Sequence, residues 1–199
     1  MTIKARSTKL CPSTRQNNKK RCMFIQNKQK DIMKTRTNNR NRILLIVDVQ
    51  NGFINEKTKH IPALVEKLQY DYDIVIATRF INMPDSPFRR LIKWEHLSPK
   101  TEEIELAFKP KEGTIIIDKY IYSCIDGQFM LLLKENGIDT IDICGIDTDI
   151  CVTKCAVDLF EQNITPYVLK DYCATHAGAD IQEAALVILA RYIGKTQII

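Results

Sequence analysis

The sequence predicts an α/β domain built as a three-layer, doubly wound, mostly parallel six-stranded sheet. Two observations predict it. Short β-branched runs recur from residue 42 to the C-terminus, and segments of helical period separate them. Runs that are apolar throughout suit strands buried on both faces, as in parallel sheets. Regular strand–helix alternation is the pattern of crossover connections between parallel strands.

The elements follow in order. RILLIVD, Arg42 to Asp48, is the first run and ends in an acid. Asp73–Ala77, Gly113–Asp118, Thr140–Gly145 and Ile164–Leu169 are the next four, and Thr196–Ile199 is the sixth. Between them, Ile61–Tyr70 places Ile61, Leu64, Val65 and Leu68 on one helical face. Gly127–Asn136 carries Phe129, Leu132 and Leu133, with Gly137 as a stop. Asp149–Gln162 and Ala179–Tyr192 are the remaining long helical segments. Ser86-Pro87 reads as a helix cap followed by proline at the first position. Phe80–Lys111 is the longest stretch without a strand signal, and a pocket-forming excursion is expected there.

Working residues in such sheets gather at the carboxyl ends of strands. Three stand there: Asp48, Lys119 and Cys151. Thr148 or Asp149 is a suitable N-cap, which puts Cys151 in the first helical turn. Free N–H groups and the helix dipole there favour an anion, so a lowered thiol pKa is expected. The same N–H groups suit an oxyanion beside the sulfur. Each residue has a plainer reading: a buried inert thiol, a loop-capping aspartate, a solvated lysine. Together, thiol, carboxylate and ammonium make a nucleophile, a proton carrier and a supporting cation. Cys144 and Cys155 read as core.

Composition narrows the setting. At 199 residues with 45% hydrophobic and 27% charged residues, the chain can bury one sizeable core. No apolar run approaches the roughly 18 residues of a membrane span, and no secretory signal is expected. Residues 1–42 hold seven lysines and six arginines against the single acid Asp31; with +5 for the whole chain, the remainder is net acidic. The basic arm, residues 1–41, is expected to be disordered, or to precede a translation start at Met33. Phosphate or anionic-surface binding is its alternative use, although no nucleic-acid partner is expected. Seven cysteines with no CxxC pair, and three histidines (His60, His96, His176) far apart, show no zinc-like spacing. A reducing cytoplasm is expected.

Three blocks, LLIVDVQNGF, IIIDKYIYSC and ICGIDTDICVTKCAVD, then together resemble one family, the isochorismatase-like cysteine hydrolases, which include nicotinamidases and N-carbamoylsarcosine amidases. LLIVDVQNGF (Leu44–Phe53) is similar to its D-x-Q-x-x-F signature, and IIIDKYIYSC (Ile115–Cys124) to its K-x-x-x-S-A-F block. ICGIDTDICVTKCAVD (Ile143–Asp158) is similar to its G-x-x-T-x-x-C-V-x-x-T-A-x-D block. The resemblance covers Arg42 to the C-terminus and implies a Rossmann-like fold. It implies Cys151 as nucleophile, Asp48 as general acid/base and Lys119 as supporting cation. It also implies a cis Ile146–Asp147 peptide that turns the Asp147 N–H inward, to form an oxyanion hole with the Cys151 N–H.

The implied reaction is hydrolysis of a C–N bond in a small amide, ureide or carbamoyl compound through a thioester. An isochorismatase-type hydrolase acting on a vinyl ether and a catalytically idle interaction module are the alternatives. The family's metal-binding T-x-D-W-H pattern is replaced by Thr78-Arg79-Phe80-Ile81-Asn82, so no metal and no other cofactor are expected. Its S-A-F is Ser123-Cys124-Ile125, and its T-A is Cys155-Ala156. Phe53, Trp94 and Tyr122 are candidate pocket walls, with Arg79, Arg89 or Arg90 placed to meet a substrate carboxylate. A homodimer or homotetramer is implied by the resemblance.

Overall fold

The computed structural model describes residues 42–199; the basic arm lies outside the described residues. Five parallel strands form one sheet in the order β3-β2-β1-β4-β5. They are β1 (Ile43–Val47), β2 (Ile74–Phe80), β3 (Ile115–Lys119), β4 (Thr140–Ile146) and β5 (Thr165–Ala174). The helices are α1 (Ile61–Leu68), α2 (Pro87–Ile92), α3 (Gly127–Glu135), α4 (Thr153–Glu161) and α5 (Ala179–Ile193). All of β1 is buried, as its unbroken ILLIV run requires of a central parallel strand. Strand order runs one way through β2 and β3 and the other way through β4 and β5. The switch point therefore lies between β1 and β4, where open α/β sheets form their crevice.

The sheet has five strands, not six. The final run forms a short 3-10 turn, Lys195–Gln197, and touches β5 through a single bridge between Val168 and Ile198. Gly194, at φ 99°, redirects the chain two residues before a strand could align. β5 in turn runs beyond its apolar stretch to Ala174. Its pairing shifts register between Ile143 and Gly145, so Lys170, Asp171 and Tyr172 fall in an irregular section. Gly145, at φ 129°, lies inside β4 rather than ending it. A Cβ there would sit 2.1 Å from the Val47 carbonyl oxygen, so only glycine lets β4 approach β1 this closely.

Ser86 caps α2 as expected, its hydroxyl accepting from the Arg89 N–H. The turn after β4 differs from expectation. Asp147 occupies the N-cap position, and a π-helical turn, Thr148–Val152, precedes α4. Neither Thr148 nor Asp149 is the cap. Among the described residues no helix is long and apolar enough to cross a membrane.

Candidate active site

The three strand-end candidates meet. Lys119 closes β3, and its Nζ lies 2.6 Å from Asp48 Oδ2. The same ammonium donates to Cys151 Sγ at 3.4 Å and to the carbonyls of Ile121 and Tyr122 at 3.1 and 2.9 Å. It also stands 5.1 Å from the centre of the Phe80 ring. Asp48 and Lys119 are 0% and 2% exposed, and such a pair persists in a core only when each charge is otherwise satisfied. Thr78 on β2 supplies the rest: its hydroxyl accepts from the Asp48 N–H at 3.0 Å and donates to Asp48 Oδ1 at 2.6 Å. Asp48 takes a left-handed φ of 50°, which turns its side chain off the end of β1. Gln50 braces the neighbouring loop, donating to the Phe80 and Ile104 carbonyls and accepting from the Phe80 N–H at 2.7 Å.

The electrostatics differ from the sequence expectation in one respect. Burial pushes the Cys151 thiol well above its ordinary range; the Asp48 charge adds to this, and Lys119 opposes it. The helix-dipole argument is outweighed because the sulfur is fully enclosed beside a carboxylate. Burial would lower Lys119, but Asp48 and the neighbouring thiols raise it above the usual lysine range. The resting site is therefore a neutral thiol beside a carboxylate–ammonium pair. Asp48 Oδ2 and Cys151 Sγ share the Lys119 ammonium, which brings carboxylate and thiol to one point. The Ile146–Asp147 peptide is cis. Behind the site, Cys124 and Cys155 share an S–H···S contact at 3.8 Å.

Cys151 opens onto a cavity of about 240 Å³. Phe53, Trp94 and Tyr122 all line it, and Phe80, Phe88 and Ile92 complete an apolar wall. Trp94 stacks on Phe53 at 5.9 Å, and Phe88 meets Tyr122 edge-on at 5.0 Å. The arginines are elsewhere. Arg79 is bound to Asp118 at 2.8 and 3.1 Å, and Arg89 donates to the Glu95 carbonyl and to Ser98. Arg90 is exposed and does not line the cavity. The cavity instead holds a basic residue that the sequence reading passed over, His176, together with the side chain of Asp147. A signal existed: His176 follows β5 at the same sheet edge as the other candidates. It was hidden because the apolar run stops at Leu169, well short of the strand's true end.

A metal of the kind this fold carries in some relatives does not fit these residues. Phe80 packs against Phe88 and Trp94. The Asn82 amide donates to the Trp94 and His96 carbonyls at 2.9 and 3.0 Å, and its oxygen accepts from Ser86. Among the described residues no three His, Cys, Asp or Glu side chains converge as a metal site.

The Isochorismatase domain model matches residues 42–197. The chain belongs to the isochorismatase family. It is similar to a nicotinamidase of Acinetobacter baylyi, 31% identical over 52% of this chain and 56% of that protein. It is also similar to a ureidoacrylate amidohydrolase of Azorhizobium caulinodans, 34% identical over 43% of this chain and 38% of that protein. The match thus spans about half, or less, of these curated relatives. Among solved structures, a pyrazinamidase of Pyrococcus horikoshii in complex with zinc superposes with TM-score 0.69 at 22% identity, covering 77% of this chain and 96% of that one. An N-carbamoylsarcosine amidase of Thermoplasma acidophilum gives 0.64 at 25% identity, covering 75% and 93%.

Proposed function

We propose that this family member is a cysteine hydrolase that cleaves a C–N bond in a small amide, ureide or carbamoyl compound without a metal. One observation carries the reading: the Lys119 ammonium joins Cys151 Sγ, at 3.4 Å, to Asp48 Oδ2, at 2.6 Å, beside a cavity whose walls are mostly apolar. The relatives' names, which speak of nicotinamide, ureidoacrylate and carbamoylsarcosine, support the amide class.

The chemistry follows from the resting protonation. Asp48 takes the thiol proton as sulfur attacks the carbonyl carbon. A thiol whose pKa burial has raised gains nucleophilicity only as that proton leaves, so attack and transfer are coupled. The oxyanion is received by the N–H groups of Asp147 and Cys151. Asp48 then returns the proton to the departing nitrogen, and the C–N bond breaks. Water attacks the thioester, losing its proton to Asp48; the C–S bond breaks and the thiol is reprotonated. Lys119 keeps Asp48 in place and stays cationic through the cycle.

The test is ammonia release from a panel of nicotinamide, benzamide, ureidoacrylate and N-carbamoylsarcosine, with and without a chelator. Wild type should turn over at least one of them, unchanged by chelator, and Cys151→Ala should lose about 10⁴-fold or more in kcat. Turnover that survives in Cys151→Ala, or disappears on chelation, sinks the proposal.

A further inference from the structure

The main chain and side chain of Asp147 face separate tasks. Its N–H is assigned above to the oxyanion. Its carboxylate, 3% exposed, is gripped at both oxygens by one residue. The His176 N–H donates to Oδ1 at 2.8 Å, and the ring Nδ1 meets Oδ2 at 2.6 Å. An ionised carboxylate only accepts, so Nδ1 carries the proton. The grip spans adjacent strand ends: Ile146 of β4 pairs with Ala174 of β5, and the two chains leave the sheet side by side.

The His176 side of this clamp is anchored independently. Asn55 Nδ2 donates to the His176 carbonyl at 3.1 Å, and Lys57 Nζ to the Ala177 carbonyl at 2.9 Å. The Ala177 N–H donates to Thr175 Oγ1 at 3.2 Å. The ring therefore stands on the β1–α1 and β5–α5 loops, not on the turn it holds.

We infer that His176 is a positioning residue, which through its clamp on the Asp147 carboxylate keeps the Asp147 N–H aimed at the reacting carbonyl oxygen. This rests on the hydrolase reading above. The carboxylate and the N–H hang from the same Cα, so fixing one limits the swing of the other. An oxyanion donor works only when it is already in place. The donor at Nδ1 survives loss of the ring charge, so the clamp weakens but does not open when the ring is neutral. Among Asp147, Asp149 and Lys57, the groups acting on it, only Asp147 is its partner, and a departing ring proton leaves from Nε2.

Two isosteres separate the ring nitrogens. His176→Asn keeps an N–H near the place of Nδ1 and loses Nε2; His176→Gln keeps one near Nε2 and loses Nδ1. Both are assayed in the full chain with the panel amide that wild type turns over fastest. The Asn variant should stay within about threefold of wild-type kcat, while the Gln variant falls about tenfold to a hundredfold with KM little changed. Alkylation of Cys151 by iodoacetamide, which needs the thiol but no oxyanion donor, should keep its rate in both. Asp147→Asn, which weakens the clamp from the other side, should lose about tenfold in kcat.

Wild-type kcat in the Gln or Asp147→Asn variants overturns the inference, as does an equal fall in the Asn and Gln variants. A loss confined to KM also overturns it, and moves the ring to substrate binding. Activity in Cys151→Ala defeats the hydrolase reading itself; an inert Cys151→Ala beside a fully active Gln variant defeats only the clamp.

Discussion

Two aspartates follow neighbouring strands, β1 and β4, at one edge of the sheet in different company. Asp48, at the end of β1, is wholly enclosed, with Thr78 on one oxygen and Lys119 on the other. Asp147, after β4, is nearly as enclosed, but its partner His176 is 43% exposed. Against the effect of burial, Asp48 and the neighbouring thiols raise the Lys119 pKa above the usual lysine range, so Lys119 stays cationic near neutral pH. The hydrogen bond to Asp147 raises the His176 pKa above its ordinary value, so the charge of the ring, unlike that of Lys119, adds a pH-dependent part to the pairing. The difference teaches a division of labour: the first carboxylate sits where it can move a proton, and the second sits where it can hold a backbone still.

The comparison breaks most directly on the amides of the two acids. Asp48→Asn removes the proton carrier and should lower kcat by about 10³-fold, far more than the roughly tenfold loss expected for Asp147→Asn. Equal losses would mean that both carboxylates serve one role. Next in size is the effect of removing Lys119. Lys119→Met leaves the Asp48 charge buried without its cation, and breaking one side of such a pair should cost about 3–5 kcal/mol of stability. Chemical denaturation measures this; a loss below about 1 kcal/mol would show that the Asp48 charge does not need its partner.

These two halves of the site were unequally legible in the sequence. Asp48 follows the unbroken apolar run of β1, Lys119 closes the isoleucine run of β3 and Cys151 lies in the turn after β4, so their places at one sheet edge were legible in the sequence. Phe53, Trp94 and Tyr122 likewise reach the cavity. Thr78 and His176 were not legible as partners. The apolar run of β2 ends at Ala77, although the strand extends to Phe80. β5 hides its last residues behind Lys170-Asp171-Tyr172, polar positions that its register shift accommodates. The direction of the Cys151 shift was also beyond the sequence. A helix start argues for a lower pKa, and only full enclosure beside Asp48 reverses it. The sixth strand failed for a local reason, since the short Thr196–Ile199 run cannot show whether Gly194 before it lets the chain align.

The smallest expected effect is also the sharpest test of the contrast. The hydrogen bond that His176 donates to Asp147 raises the His176 pKa above its ordinary 6.5; burial and Lys57 oppose this, and the charges of Asp147 and Asp149 reinforce it. A group whose pKa rises on folding stabilises the fold fully below its unfolded value, and that contribution is lost as pH climbs through the folded value. The Asp48–Lys119 pair behaves otherwise, because Lys119 is held cationic across the same range. His176→Asn keeps a donor for Asp147 without the titrating charge. The stability difference between wild type and this variant should therefore be largest at about pH 6 and shrink steadily toward pH 9. With 43% of the ring side chain exposed, solvent screening keeps the change small, so paired urea titrations at each pH are the suitable measurement. A difference that stays flat across that range would show that folding leaves the His176 pKa unshifted, and the two aspartates would then differ in geometry alone.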